Sequence, residues 1–324
     1  MSSVTRYQTH VPVASLLVGA LVAMPVDAQD DTSLSTDAVR VAPTGEQIEP
    51  VGDIATLSEG HQFTEGPARD PAGGFFFSDV AASKIHRVDD DGTVSVFIDD
   101  AKHANGLLVD GRRLIVCEMD GALAAYDLDT KKRSVLVDRY DEKRFNAPND
   151  LARTARGGIY FTDPKFRAPQ PLPQGGQGVY YLPPGDRDPP AMRAVDDLPA
   201  PNGVALSPDG TRLYVGPSMT DRMMVYDVET TGRLLNGREF CRLEQAEGSD
   251  NGGSDGMAVD VNGNVYFTTA IGVQIFTPEG RPAGRVTFPQ QPANVAFVSQ
   301  DRRTMAVTAR TAVYAVRMPI PGVE

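Results

Sequence analysis

The sequence predicts an all-β protein, a six-bladed β-propeller of four-stranded antiparallel blades closed by an N-terminal strand. Three observations lead there. First, a phrase recurs six times, opening at Glu65, Asn105, Asn149, Asn202, Asp255 and Asn294. Each copy begins with Glu, Asn or Asp, runs through a short apolar strand, turns at a Gly- or Asp-rich tip and returns in a second apolar strand. Asn202-Gly-Val-Ala-Leu-Ser-Pro-Asp-Gly-Thr-Arg-Leu-Tyr-Val-Gly216 is a representative copy. The openings lie 40, 44, 53, 53 and 39 residues apart, and strand-rich repeats of about 40–50 residues are the signature of propeller blades. Second, further strand signals separate successive copies, and no stretch sustains a helical period. Third, the last copy is one strand short, while a spare strand without a repeat precedes the first.

The elements follow in order. Residues 1–28 read as a secretory signal peptide: an uncharged stretch over 11–26 follows Arg6, and Val26-Asp27-Ala28 presents small residues at a cleavage position before Gln29. The stretch is too short, and too close to Pro12 and Pro25, for a membrane anchor, which takes about 20 apolar residues. Export to the periplasm or secretion is the expectation. Residues 29–50 are polar, acidic and aperiodic and read as a linker, leaving 51–324 for the propeller. Blade 1 adds strands at 84–87 and 94–98 to its repeat, blade 2 at 123–128 and 134–137, blade 4 at 223–228 and 238–242, and blade 5 at 273–276 and 285–288. Gly, Pro and Asp at the breaks supply the turns. Blade 6 offers only 295–297, 304–308 and 312–316, so residues 53–57 are expected to pair beside 312–316 and close the ring, removing an open sheet edge.

A net charge of −12 and a pI near 4.8 exclude the basic stripe that nucleic-acid binding needs. The two cysteines, Cys117 and Cys241, fall in blades that are not neighbours, beyond the ~7 Å a disulfide spans, and are expected as buried free thiols.

A propeller brings the first strand of every blade to one central channel. The six openers should therefore form a ring of carboxylates and amides at one mouth, without His or Cys among them. Such an oxygen-rich set suits Ca²⁺, which takes 6–8 oxygen ligands in irregular geometry. Zinc fits poorly by spacing: of four histidines none shares a metal-binding interval with another, and His61, His86 and His103 need be no more than ordinary polar residues. For any one opener, a turn-forming role is the simpler account; Glu65 before Gly-Pro departs from it. Two long segments, 164–178 and 244–254, are expected at the same mouth, shaping a pocket with Arg144 or merely solvated.

The phrases Glu65-Gly-Pro67, Arg144-Phe-Asn-Ala-Pro-Asn-Asp-Leu151, Pro201-Asn-Gly-Val-Ala-Leu-Ser-Pro-Asp-Gly210 and Ser254-Asp-Gly-Met-Ala-Val-Asp260 resemble the senescence-marker-protein/gluconolactonase (regucalcin-like) family, in order and over nearly the whole chain from about Gly52 to Val316. The resemblance implies a six-bladed propeller and a metal-dependent hydrolase, chiefly of sugar lactones. It implies Glu65, Asn149, Asn202 and Asp255 as metal ligands, with Ca²⁺ or another divalent cation (Mg²⁺, Mn²⁺ or Zn²⁺) as cofactor. Arg144 corresponds to a substrate-contacting arginine, Asn105 and Asn294 to pocket positions whose role varies between members, Asn105 and Asn149 to substrate binding, and a length difference at this motif leaves Asn146 eligible beside Asn149. Asp255 would act as catalytic base, or as nucleophile on phosphotriesters. Two other readings stay open: a phosphotriester or other ester hydrolase at the same site, and a non-enzymatic binding propeller with a structural calcium. No Gly-x-Ser-x-Gly elbow, His-Glu-x-x-His or Gly-Lys-Ser/Thr loop points elsewhere.

Overall fold

The computed structural model describes residues 47–323 apart from 186–189 and 249–251, so the expected signal peptide over 1–28 and residues 29–46 of the expected linker lie outside the described residues. Among the described residues there is no helix, and so none able to cross a membrane. Six four-stranded antiparallel sheets are present.

Blade 1 comprises Thr64–Arg69, Phe75–Asp79, Lys84–Val88 and Val94–Ile98; blade 2 comprises Ala104–Asp110, Arg113–Glu118, Ala122–Asp127 and Arg133–Val137. Blade 3 follows with Leu151–Arg153, Ile159–Asp163, Gly178–Leu182 and Met192–Val195, and blade 4 with Pro201–Leu206, Arg212–Pro217, Arg222–Val228 and Leu234–Arg242. Blade 5 contains Met257–Val259, Val265–Thr269, Gly272–Phe276 and Pro282–Val286. Its outer strand therefore lies earlier than the expected 285–288; Pro282 heads an edge strand, where a missing N–H is tolerated, and the chain leaves the sheet at Thr287.

Blade 6 contains Asn294–Phe297, Thr304–Ala309 and Ala312–Arg317, and its fourth strand is Val51–Glu59, running antiparallel with Ala55 opposite Ala315 and Glu59 opposite Ala312. The ring closes as the spare strand predicted. Two backbone contacts add to the seal: Ile48 N donates to Ala283 O at 2.7 Å, and Val323 N donates to Val259 O at 3.0 Å, tying both ends of the described chain to blade 5.

The second strands are the most buried. Phe75–Asp79, Ile159–Asp163 and Val265–Thr269 are buried at every position, because each blade packs on a neighbour through both faces and an alternating apolar pattern gives way to a continuous one. Aromatic side chains fill the wedges between blades, with Phe145 edge-on to Phe161 and Tyr180 at 5.0 Å each. Cys117 and Cys241 are buried free thiols. One element lacked a sequence signal: a short hairpin, Arg139–Tyr140 with Lys143–Arg144, between blades 2 and 3.

Candidate active site in the central channel

The first strands approach one another at the axis too closely for a side chain on the residue after four of the six openers. A Cβ on Gly66 would lie 2.0 Å from Asn105 O, one on Gly106 2.7 Å from Asn149 O, and one on Gly203 2.4 Å from Asp255 O. Gly256 would meet Asn294 Oδ1 at 2.0 Å. Hydrogen bonds cross the same gaps, from Gly106 N to Asn149 O at 2.7 Å and Gly203 N to Asp255 O at 2.8 Å. The Gly that follows four of the six openers is thus a close-approach requirement, and it links the ring's openers in two runs, Glu65 to Asn105 to Asn149 and Asn202 to Asp255 to Asn294.

Hydroxyls on the second strands, and on Ser218 just after that of blade 4, brace that ring. Ser78 donates to Asn105 O at 2.8 Å, Thr268 to Gly256 O at 2.9 Å and Ala293 O at 2.8 Å, and Ser218 to Ser254 O at 3.0 Å. Thr162 accepts from Asp150 N and Thr308 from Asn294 N, each at 3.1 Å. Satisfying these buried backbone groups fixes where the opener side chains start.

Glu65, Asn105, Asn149, Asn202 and Asn294 are buried, and Asp255 is half-buried. Asn202 Nδ2 donates to Asp255 Oδ1 at 2.7 Å and to Ser218 Oγ at 2.8 Å, which turns its carbonyl oxygen away from both. Asn105 Oδ1 is buried without a partner, while its Nδ2 contacts Met119 Sδ at 3.7 Å. Asn149 is fixed through its backbone, N to Thr162 O at 2.8 Å. Asn146, the alternative to Asn149, serves the loop structure instead, donating to Gly176 O at 2.8 Å and accepting from Gln174 N at 3.1 Å.

A third carboxylate joins the ring that the opener pattern did not single out. Asp150 stands where four of the other five motifs carry Gly, is buried, and accepts from Leu151 N at 2.9 Å. Burial, with Asp255 close by, pushes its acid up to about 7. Burial also raises Asp255 to about 6, against the Asn202 hydrogen bond and the Arg310 charge that lower it. Glu65 is raised well above the carboxylate range by burial and by the charges of Asp255 and Asp150. Three acids that resist ionising together, with amide oxygens among them and one amide oxygen unpartnered, are the donor set a hard divalent cation neutralises. The residues present fit such an ion.

Arg144 stands apart from the ring. It is exposed, it donates to its own loop at Phe145 O (3.0 Å) and Asn146 O (3.3 Å), and its guanidinium lies against Gly121. Arg310, which no motif marks, is the cation whose field reaches Asp255, and its guanidinium sits 5.7 Å from the Phe63 ring centre. The segment 164–178 is a built wall. Gln174 donates to the carbonyls of Tyr140, Lys143 and Arg144 at 3.1, 2.8 and 3.0 Å, and Phe166 and Ala168 pack with Val80, Met119, Ala147 and Phe63. Residues 249–251 of the segment 244–254 lie outside the described residues; Gln245 holds the rest through Leu243 O, Gly252 O and Gly252 N.

The chain is thus a six-bladed propeller with carboxylates and amides converging in its channel. Residues 63–311 match the SMP-30/Gluconolactonase/LRE-like region, and the chain belongs to that family. It is 29% identical to a gluconolactonase from Zymomonas mobilis over 95% of this chain and 94% of that protein, and 28% identical to the lactonase drp35 of Staphylococcus haemolyticus over 69% of each. Among solved structures, a gluconolactonase from Xanthomonas campestris superposes with a TM-score of 0.75 at 29% identity, covering 86% of this chain and 96% of that one. A calcium-binding regucalcin from Agrobacterium tumefaciens shares the fold with a TM-score of 0.71 at 20% identity, covering 82% and 94%.

Proposed function

We propose that this protein is a lactone hydrolase that uses a divalent cation, Ca²⁺ by preference, to open a sugar-type lactone, and that it acts after export to the periplasm or secretion. The observation that carries the reading is the convergence of Glu65, Asp150 and Asp255 with the amides of Asn202 and Asn294, in a chain resembling gluconolactonases over nearly its full length.

Glu65, Asn149, Asn202 and Asp255 would hold the cation. When bound, it supplies Lewis-acid polarisation of the lactone carbonyl. Asp255, with an acid near 6, is a carboxylate above that pH and half-exposed to incoming water. Asn202 Nδ2 holds Oδ1, leaving Oδ2 to accept a proton as water oxygen bonds to the carbonyl carbon. The ring C–O bond then breaks, and the proton passes from Asp255 to the departing alkoxide, giving the open hydroxy acid. Arg310 is the better-placed cation for substrate hydroxyls or the new carboxylate; Arg144 would first have to release Phe145 O and Asn146 O. Phe166, Ala168 and Met119 would supply an apolar wall beside Asn105.

The test is turnover of a panel of γ- and δ-lactones by the metal-loaded and chelator-treated protein. Hydrolysis of at least one lactone, lost on chelation and restored by Ca²⁺, is expected. Absence of turnover on the whole panel, with phosphotriesters hydrolysed instead, would overturn the substrate class.

A further inference from the structure

Away from the ring of openers, three side chains of blade 1 meet that no sequence motif associates. His61 lies between the closing strand and the first strand, Asp79 ends the second strand, and His86 sits in the third. One ligand atom from each falls within 4.8 Å of the other two, and His61 Nδ1 is 3.7 Å from Asp79 Oδ2.

Each of the three is oriented by its surroundings. His61 Nε2 lies 2.7 Å from Ser58 Oγ, which leaves Nδ1 to face Asp79. Asp79 accepts from Phe63 N at 2.9 Å on Oδ1 and Gln62 N at 3.0 Å on Oδ2, so its carboxylate is set by the entry loop of the blade. The His86 ring stacks on Phe77 at 4.9 Å and meets the His61 ring edge-on at 4.8 Å. His86 is 9% exposed and its Nε2 is buried without a partner. The ring's packing on Phe77 thus leaves a buried imidazole nitrogen unsatisfied, beside a second imidazole and a carboxylate.

We propose that His61, Asp79 and His86 form a second metal site, for a borderline divalent transition-metal ion of the zinc class. Two imidazoles and one carboxylate favour zinc, cobalt or nickel over calcium, whereas the channel's oxygen donors favour the reverse. Tetrahedral zinc with ligands at 2.0–2.1 Å needs donor atoms about 3.4 Å apart, so the widest pair closes by little more than about 1 Å. Ser58 and the Gln62 and Phe63 amides are the outer partners such ligands have elsewhere. Burial keeps both rings below the usual histidine range, so they present lone pairs at neutral pH. With three protein ligands and His61 half-buried, a coordination position stays open for water or a small anion.

The experiment uses the protein stripped with chelator and titrated calorimetrically with Zn²⁺ alone, then with Co²⁺ alone to read the visible spectrum. One zinc equivalent is expected whose affinity falls by about tenfold or more in His61→Ala and in His86→Phe, the latter keeping the stack on Phe77. Calcium binding should be unchanged in both, and the four- or five-coordinate Co²⁺ bands should vanish. Should His86→Phe fail to fold by circular dichroism, the half-buried His61→Ala decides alone. Wild-type zinc affinity in His61→Ala overturns the proposal, as does failure of the native chain to bind zinc. Loss of all zinc binding in Glu65→Gln, with His61→Ala unaffected, would place zinc in the channel and also overturn it.

Discussion

Replacing Asp150 with Asn should stabilise the metal-free protein at alkaline pH and leave it little changed in acid. The folded protein holds the Asp150 proton up to about pH 7, against an ordinary value of 3.8. A carboxyl whose folded pKa is raised destabilises the fold as pH climbs, because the unfolded chain releases the proton first. The loss begins near the unfolded value, grows through the folded one and is complete above about pH 7. Its full size is about 4 kcal/mol, of which roughly 3 kcal/mol accrues between pH 5 and pH 8. Asn keeps the volume and the acceptor for Leu151 N, 2.9 Å away, without the charge. Removing it also lets Glu65 ionise more readily, since the Asp150 charge is one of those that raise it.

Thermal unfolding in chelator is the assay. At ~2–4 °C per kcal/mol for a domain approaching this size, the variant should melt on the order of 8–16 °C above wild type at pH 8, with a much smaller gap at pH 5. A gap that does not grow with pH, or a variant less stable throughout, would refute the claim that the ring holds mutually repelling acids. With Ca²⁺ present the order should reverse or the gap close, because the cation stabilises the ionised ring by mass action.

Four further outcomes follow from the same geometry. Glu65→Gln should weaken Ca²⁺ binding by about tenfold or more in calorimetry; unchanged affinity would count against its place in the site. Arg310→Gln removes the positive charge that lowers Asp255, so the acidic limb of kcat/KM should move to higher pH, and an unmoved limb would show that the charge does not reach the base. Gly256→Ala places a Cβ 2.0 Å from Asn294 Oδ1 and should destabilise the fold by about 1–3 kcal/mol; an unchanged Tm would mean the ring has room to spare. Bridging residues 165–172 with Gly-Ser, which removes Phe166 and Ala168 but keeps Gln174, should reorder lactone preference at constant metal affinity. Changes in kcat/KM all within twofold, under about 0.5 kcal/mol, would exclude a specificity role.

The ring was legible because its constraint repeats. Each first strand meets the axis at the same depth, so the opener and the Gly after it recur in the chain, and the strand missing from blade 6 exposed the closure by Val51–Glu59. What did not repeat was hidden. Two openers lack the following Gly, Asn149 with Asp150 and Asn294 with Val295, and of these exceptions the polar one was the available signal for a third channel acid. Arg310 lies in a tight turn of blade 6 with nothing local to mark it, and its relation to Asp255 exists only across the mouth. His61 and His86 stand 25 residues apart, so no ligand spacing of the kind read from helices or knuckles could associate them; antiparallel pairing of Phe77 with His86 does. The outer strand of blade 5 was misplaced for a related reason: outer strands are half-exposed, with a pattern of exposed, buried and intermediate residues over Pro282–Val286, and carry less apolar signal than the buried second strands.

The same closeness that demands glycine also accounts for the chemistry of the channel. Where backbones approach within hydrogen-bond reach, as from Gly106 N to Asn149 O, no bulky side chain can enter to insulate one opener from the next. Water is largely excluded too, since five of the six openers are buried. Carboxylates placed there face one another across a gap that the fold cannot widen without parting the blades. Their burial, and for Glu65 and Asp150 the neighbouring carboxylate charge, is relieved in only two ways: by protons, which the raised values of Asp150, Asp255 and Glu65 express, or by a cation. A six-fold ring of this kind therefore selects for positive charge on its axis by geometry. Its residual freedom lies at the mouth, where Asp255 remains half-exposed and the wall carrying Phe166 is held by Gln174, and there variation in the loops can change the substrate without disturbing the ring.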